Sequence, residues 1–183
     1  VTPLWIEPAS VGGELSGVVI SADGKTIVAG GDQLISLTAD GRKRWTGFSG
    51  TCIAVSSNGD YILSSQGQIL RLISAGGTLV WDESMDIPVT DLSMAPDASV
   101  IAAAGGGRVR VLTSSGESIA SNASMAVNHI RVMPSGDQIL LTTNRNIQLS
   151  NRTLLPSWED TNWSQDLVET ASDGSLFVTA TDN

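Results

Sequence analysis

A short turn signature returns along the chain at nearly constant spacing. Asp23-Gly24, Asn58-Gly59, Ser135-Gly136 and Asp173-Gly174 stand at equivalent places, and Asp97-Ala98 fills the gap between the second and third. Counted on the second residue of each pair, the intervals are 35, 39, 38 and 38 residues. Tryptophans keep the same period at Trp5, Trp45, Trp81 and Trp158, with Ala120 in the one slot that lacks an indole. A repeat of this length confines the chain to a stack or ring of small units, because one unit cannot bury its own apolar surface.

Apolar columns run between these markers. Six residues before the turn stand Val18, Ile53, Leu92, Ile130 and Val168, and four before it Ile20, Val55, Met94, Val132 and Thr170. Three after it stand Ile27, Ile62, Ile101, Ile139 and Phe177. Alternation with period two on both sides of a tight turn reads as a β-hairpin. A third strand is expected to end at Leu37, Leu72, Leu112 and Leu149, and a fourth to end at Trp45 or Trp81. No segment carries a capped helical period.

The fold expected is all-β, in blades of four antiparallel strands: four full repeats plus a partial fifth. The repeats are 12–45, 46–81, 82–120, 121–158 and a partial 159–183, with an outer strand of a preceding blade near 3–6. About 36 to 40 residues in four strands is the length of one propeller blade. A β-sandwich would give each strand one apolar and one polar face, whereas both faces here are often apolar. A third strand for the fifth repeat falls about four residues beyond Asn183. The chain therefore reads as a segment of a larger propeller. The other reading is a five-bladed ring clasped by the strand at Trp5. An open ring exposes edge strands, which invites self-association.

The stretches Val18–Gly31 and Leu92–Ala104 resemble the inner strands of a WD-repeat blade, without the Gly-His and Trp-Asp pairs of that family. Gly41-Arg-Lys-Arg-Trp45 and Gly77-Thr-Leu-Val-Trp81 resemble the tryptophan-bearing outer strand of quinoprotein-type propellers, where the indole wedges between blades. The resemblance covers nearly the whole chain. It is similar also to the propeller repeats of microbial, especially archaeal, surface proteins, which implies a binding or structural scaffold. The quinone cofactor of quinoprotein enzymes works with a bound calcium and often a vicinal disulfide; a single cysteine, Cys52, excludes the disulfide. No cofactor is expected.

Composition narrows the function classes. With 10 basic against 19 acidic residues and a net charge of -9, the chain lacks the basic stripe that nucleic-acid binding needs. No apolar run reaches the length of a membrane-spanning helix. The sequence starts at Val1 with no start Met and no signal-type apolar segment, so any leader is expected to have been removed or never included.

Candidate site residues gather in one column. Seven before the turn stand Gly17, Cys52, Asp91, His129 and Leu167, and one position earlier Ser16, Thr51, Thr90, Asn128 and Asp166. These begin the innermost strands and are expected to ring one mouth of the channel. Asp91, Asn128, His129 and Asp166 are the ligand-binding candidates there. The plainer reading is that they hydrogen-bond local backbone. Trp163 breaks the tryptophan period and is a candidate surface contact. Arg131 and Glu169 occupy matching positions of neighbouring inner strands and are expected to pair across blades. No catalytic residue and no metal site is assigned, because the one histidine has no partner at ligand spacing. Gly47-Phe-Ser-Gly-Thr51 is one residue short of a nucleophile elbow. Asn122-Ala-Ser124, Asn151-Arg-Thr153 and Asn162-Trp-Ser164 are glycosylation acceptor patterns.

The function expected is a non-enzymatic scaffold, extracellular or at the cell surface, that recognises a protein or glycan. A propeller enzyme with a polar site at the channel mouth, or an intracellular WD-type assembly platform, is the alternative.

Overall fold

A computed structural model of the chain describes residues 14–161, 167–171 and 177–180. Among them are eighteen strands in five antiparallel sheets and no helix. Blade 1 holds β1 (Gly17–Ile20), β2 (Thr26–Gly30), β3 (Leu34–Thr38) and β4 (Lys43–Gly47). Blade 2 holds β5 (Cys52–Val55), β6 (Tyr61–Gln66), β7 (Ile69–Ser74) and β8 (Leu79–Ser84). Blade 3 holds β9 (Asp91–Met94), β10 (Val100–Gly105), β11 (Arg108–Thr113) and β12 (Ser118–Asn122). Blade 4 holds β13 (His129–Val132), β14 (Gln138–Thr142), β15 (Ile147–Asn151) and β16 (Pro156–Asp160). Blade 5 contributes β17 (Leu167–Thr170) and β18 (Phe177–Ala180). Strands in each four-stranded sheet pair in sequence order. The strand expected near Trp5 lies outside the described residues.

The inner hairpins follow the apolar columns. Ile20 faces Ile27, Val55 faces Ile62, Met94 faces Ile101 and Val132 faces Ile139. One closure serves all four: Ser21, Ser56, Ala95 and Met133 donate backbone N–H to Thr26, Tyr61, Val100 and Gln138. The turn needs a left-handed residue, filled by Gly24, Gly59 and Gly136 at φ 69 to 74° and by Ala98 at 59°.

The third-strand column needs a correction. Trp45, Ala120, Trp81 and Trp158 face Ser36, Val111, Leu72 and Leu149. Leu37 and Leu112 therefore sit one residue past the position that Leu72 and Leu149 occupy, and point to the opposite side of the sheet. Both faces of these strands are buried, so leucine is acceptable at either position and period two loses its meaning.

Inner strands touch in the order β1, β5, β9, β13, β17. Each seam packs one face of a blade on the opposite face of the next. Val19, Val28 and Leu34 of blade 1 meet Ile53, Ile62 and Ile73 of blade 2. Leu63 and Leu72 meet Leu92, Met94 and Ile101, and Ala102 and Val111 meet Ile130 and Ile139. At the two ends these columns are uncovered. Val18 and Ile20 are 58% and 59% exposed, although their counterparts Leu92, Met94, Ile130 and Val132 are buried. Val178 is 61% exposed, against 0% for Val28, Leu63, Ala102 and Leu140.

The outer part of two seams is held by tryptophan. Trp45 Nε1 donates to Ala75 O at 2.8 Å, and Trp81 Nε1 to Ser114 O at 2.8 Å, each in the outer turn of the following blade. The ring lies against a left-handed glycine of that turn. A Cβ on Gly77 would come within 2.8 Å of Trp45, and one on Gly116 within 3.3 Å of Trp81. At the next seam both partners change together. Ala120 replaces the tryptophan, and Leu154, at φ 62°, replaces the glycine. Leu154 is buried in the cluster against which Ile119 and Ala120 pack, so the larger residue has moved to the other side of the joint.

Ser64 carries a fully buried hydroxyl that makes no hydrogen bond. Its equivalents facing the inner strands are Ala29, Ala103 and Leu141. Ser64→Ala is expected to stabilise the protein by about 1 kcal/mol, because a desolvated, unpaired hydroxyl is removed. Chemical denaturation checks this, and a loss of stability would show that the hydroxyl has a partner.

Candidate functional site

The inner strands line a cavity of ≈300 Å³. Its wall is divided by chemistry. Val19, Ile20, Ile53, Ala54 and Val55 of blades 1 and 2 form an apolar side. Asp91, Ser93, Arg131 and Glu169 of blades 3 to 5 supply its polar groups, with Leu92 and Met94 of blade 3 among them.

Asp91 organises the polar side. As the first residue of β9, it points its carboxylate across the seam to blade 4. Oδ2 accepts Ile130 N–H at 2.9 Å and Arg131 Nη1 at 2.9 Å, and lies 3.5 Å from His129 Nδ1. Oδ1 accepts N–H of Leu92 at 2.9 Å. Two residues on, Ser93 Oγ accepts N–H of Val132 at 3.0 Å. Innermost strands have one open backbone edge, and at this seam side chains of the preceding blade satisfy it. Arg131 also donates to Ile130 O at 2.8 Å and reaches Glu169 at 3.5 Å. The cross-blade pair read from the sequence thus lies close, but Asp91 holds Arg131 at the shorter distance.

The other candidates divide. Asn128 donates its side-chain amide to Asn144 Oδ1 at 2.7 Å, tying the loop before β13 to the turn after β14. Beside this tie a second cavity of ≈490 Å³ opens between Met125 and Arg145. Thr51, Thr90 and Asn128 donate backbone N–H to Ser65, Ala104 and Thr142, extending their inner hairpins at one mouth. Cys52 is half-buried and packs in the seam between blades 2 and 3. Asn122 and Asn151 each turn Oδ1 back on local backbone, to Ser124 N–H and to Thr153 and Leu155 N–H. Asn162, Trp163 and Asp166 lie outside the described residues. The structure therefore joins Asp91 with His129 and places Asn128 in a separate tie. Sequence reading missed Ser93 and the Asp91–Arg131 bond. The signal available was a polar pair, Asp91 and Ser93, where blade 2 has Cys52 and Ala54.

Among solved structures, the chain is similar to the β-propeller domain of Myceliophteria thermophila Cps50 (Swd1), with a TM-score of 0.77. The match covers 91% of this chain and 62% of that one at 16% sequence identity. This chain is a WD-repeat-like β-propeller by fold. At that identity the likeness reaches the architecture alone, and the chain spans 62% of that domain's length. No protein-family model and no curated protein matches it. The quinoprotein and archaeal surface-protein resemblances go beyond what the likeness carries.

Among the described residues, no three of His, Cys, Asp and Glu are placed to hold a metal ion. Zinc or calcium is therefore expected to leave the melting temperature unchanged, in wild type and in His129→Ala alike, since a ligand stabilises only by binding the folded state. A rise with zinc that vanishes in His129→Ala would assign a metal site to this histidine.

Proposed function

We propose that this protein is a non-enzymatic, protein-binding scaffold, which recognises its partner through the channel and the mouth at which β5, β9 and β13 begin. The observation that carries this is the commitment of Asp91. Both of its oxygens serve backbone amides, and one also serves Arg131, so this carboxylate is engaged in holding blades together. What remains at this end is shape, amide side chains and threonine hydroxyls, the ordinary material of a protein-recognition surface.

Two further parts belong to this reading. The uncovered positions Val18 and Val178 support a larger ring in which these faces meet further blades. The acidic, lysine-poor composition and the acceptor patterns at Asn122 and Asn151 support work at a cell surface.

A photo-crosslinking residue at position 90 or 128 tests the recognition surface against position 80 on the outer strand β8. The same discrete adduct from 90 and 128, absent from 80, is expected. Equal labelling from all three positions would overturn the reading.

A further inference from the structure

The channel's divided wall specifies more than a place of contact. Resting on the scaffold reading, we propose that this cavity is a socket for a lysine or arginine side chain of the partner protein, with its aliphatic stem along Val19, Ile20 and Val55 and its charge at Glu169.

The charge balance of the polar side decides the sign of the guest. Arg131 makes its short bonds, 2.9 and 2.8 Å, to Asp91 and to Ile130 O. Asp91 thus neutralises Arg131 and is itself held by two backbone amides. Glu169 is left as the net charge of the trio. Its side chain is 66% exposed, and its contact with Arg131 is long, at 3.5 Å. A carboxylate in this position takes a cation more readily than an anion or a neutral group.

The opposite wall decides the guest's shape. Val19, Ile20 and Val55 offer no oxygen or nitrogen side chain to a hydrated metal ion, which needs several oxygen ligands. They suit methylene groups. Lysine and arginine combine the two demands, since their stems lie on apolar surface while the head group stays at a polar or wet edge. The net charge of -9 adds long-range attraction for a basic segment, which speeds encounter at low salt. Ile20 is 59% exposed, so one side of the socket is reachable from solvent.

The test uses the whole chain with methyl-labelled valine and isoleucine, titrated with the peptides Gly-Gly-Lys-Gly-Gly and Gly-Gly-Arg-Gly-Gly. Versions with norleucine or glutamate at the centre serve as controls. Saturable shifts of the Val19, Ile20 and Val55 methyls are expected with the two basic peptides and with neither control, weakening as salt rises. Glu169→Gln is expected to weaken binding about fivefold, the range of a solvated ion pair. Ile20→Ser, at an exposed position, is expected to weaken it as well without unfolding the protein. No saturable shift with the lysine and arginine peptides, or shifts that survive Glu169→Gln unchanged, would overturn the socket. Spermidine binding with the same Glu169 dependence and no peptide binding would also overturn it, in favour of a small polyamine ligand. Adducts from positions 90 and 128 without peptide binding would remove the socket and leave the scaffold reading standing.

Discussion

Trp81→Ala is expected to lower stability by about 3 kcal/mol, the lower end for a large aromatic because this ring is only partly buried. Two losses combine. The indole leaves the seam between blades 2 and 3, where it packs with Leu72, Leu92 and Leu112, and Ser114 O loses the N–H donor 2.8 Å away. For a chain of this size that amounts to a fall in melting temperature of about 6 to 12 °C. The seam between blades 3 and 4 shows how the same joint is built the other way, with Ala120 and Leu154 in place of tryptophan and glycine. Adding Gly116→Leu to Trp81→Ala is therefore expected to recover part of the loss, whereas Gly116→Leu alone crowds the ring and adds strain at φ 86°. A double-mutant cycle measures the coupling. Unchanged melting in Trp81→Ala would show that the ring does not hold the seam.

The inner hairpins were legible because three signals agreed on them: a turn needing a left-handed residue, alternation on both sides, and a fixed period. Val18 and Ile53, Leu92 and Ile130 sit in the register the columns require. The third strands were not legible to the residue. In β7 Leu70, Leu72 and Ile73 are all buried, so neighbouring positions are chemically alike and only hydrogen-bond pairing separates them. The candidate site divides along the same line. Positions were readable, since Asp91 and His129 do open inner strands side by side. Partners were not. The sequence links Arg131 with Glu169, but which carboxylate comes closest depends on the rotation between blades, and Asp91, forty positions away, is the nearer by geometry. That Ser93 caps Val132 N–H follows only once the open edge of β13 is seen to face β9.

Removing that nearer carboxylate is expected to cost about as much as removing the tryptophan. Asp91→Ala leaves Ile130 N–H, in a residue with 0% exposure, without its carboxylate acceptor, and leaves the Arg131 guanidinium with Ile130 O and the more distant Glu169. An unpaired buried donor costs about 1 to 3 kcal/mol, and a mostly buried cation that loses its nearest carboxylate adds to it, so about 3 kcal/mol is expected. Asp91→Asn keeps one acceptor oxygen for the Ile130 amide while giving up the charge, and about 1 kcal/mol is expected for it. The contrast separates the backbone staple from the ion pair. Hydrogen exchange reads the staple directly: the Ile130 amide is expected to exchange faster in Asp91→Ala, and nearly as in wild type in Asp91→Asn. Ser93→Ala supplies the parallel measurement at Val132, two residues along the same edge. If Asp91→Ala left both the stability and the Ile130 exchange rate unchanged, the carboxylate would not be holding blades 3 and 4 together. Its oxygens would then be available for chemistry, and the reading of this channel as a non-enzymatic surface would lose its main support.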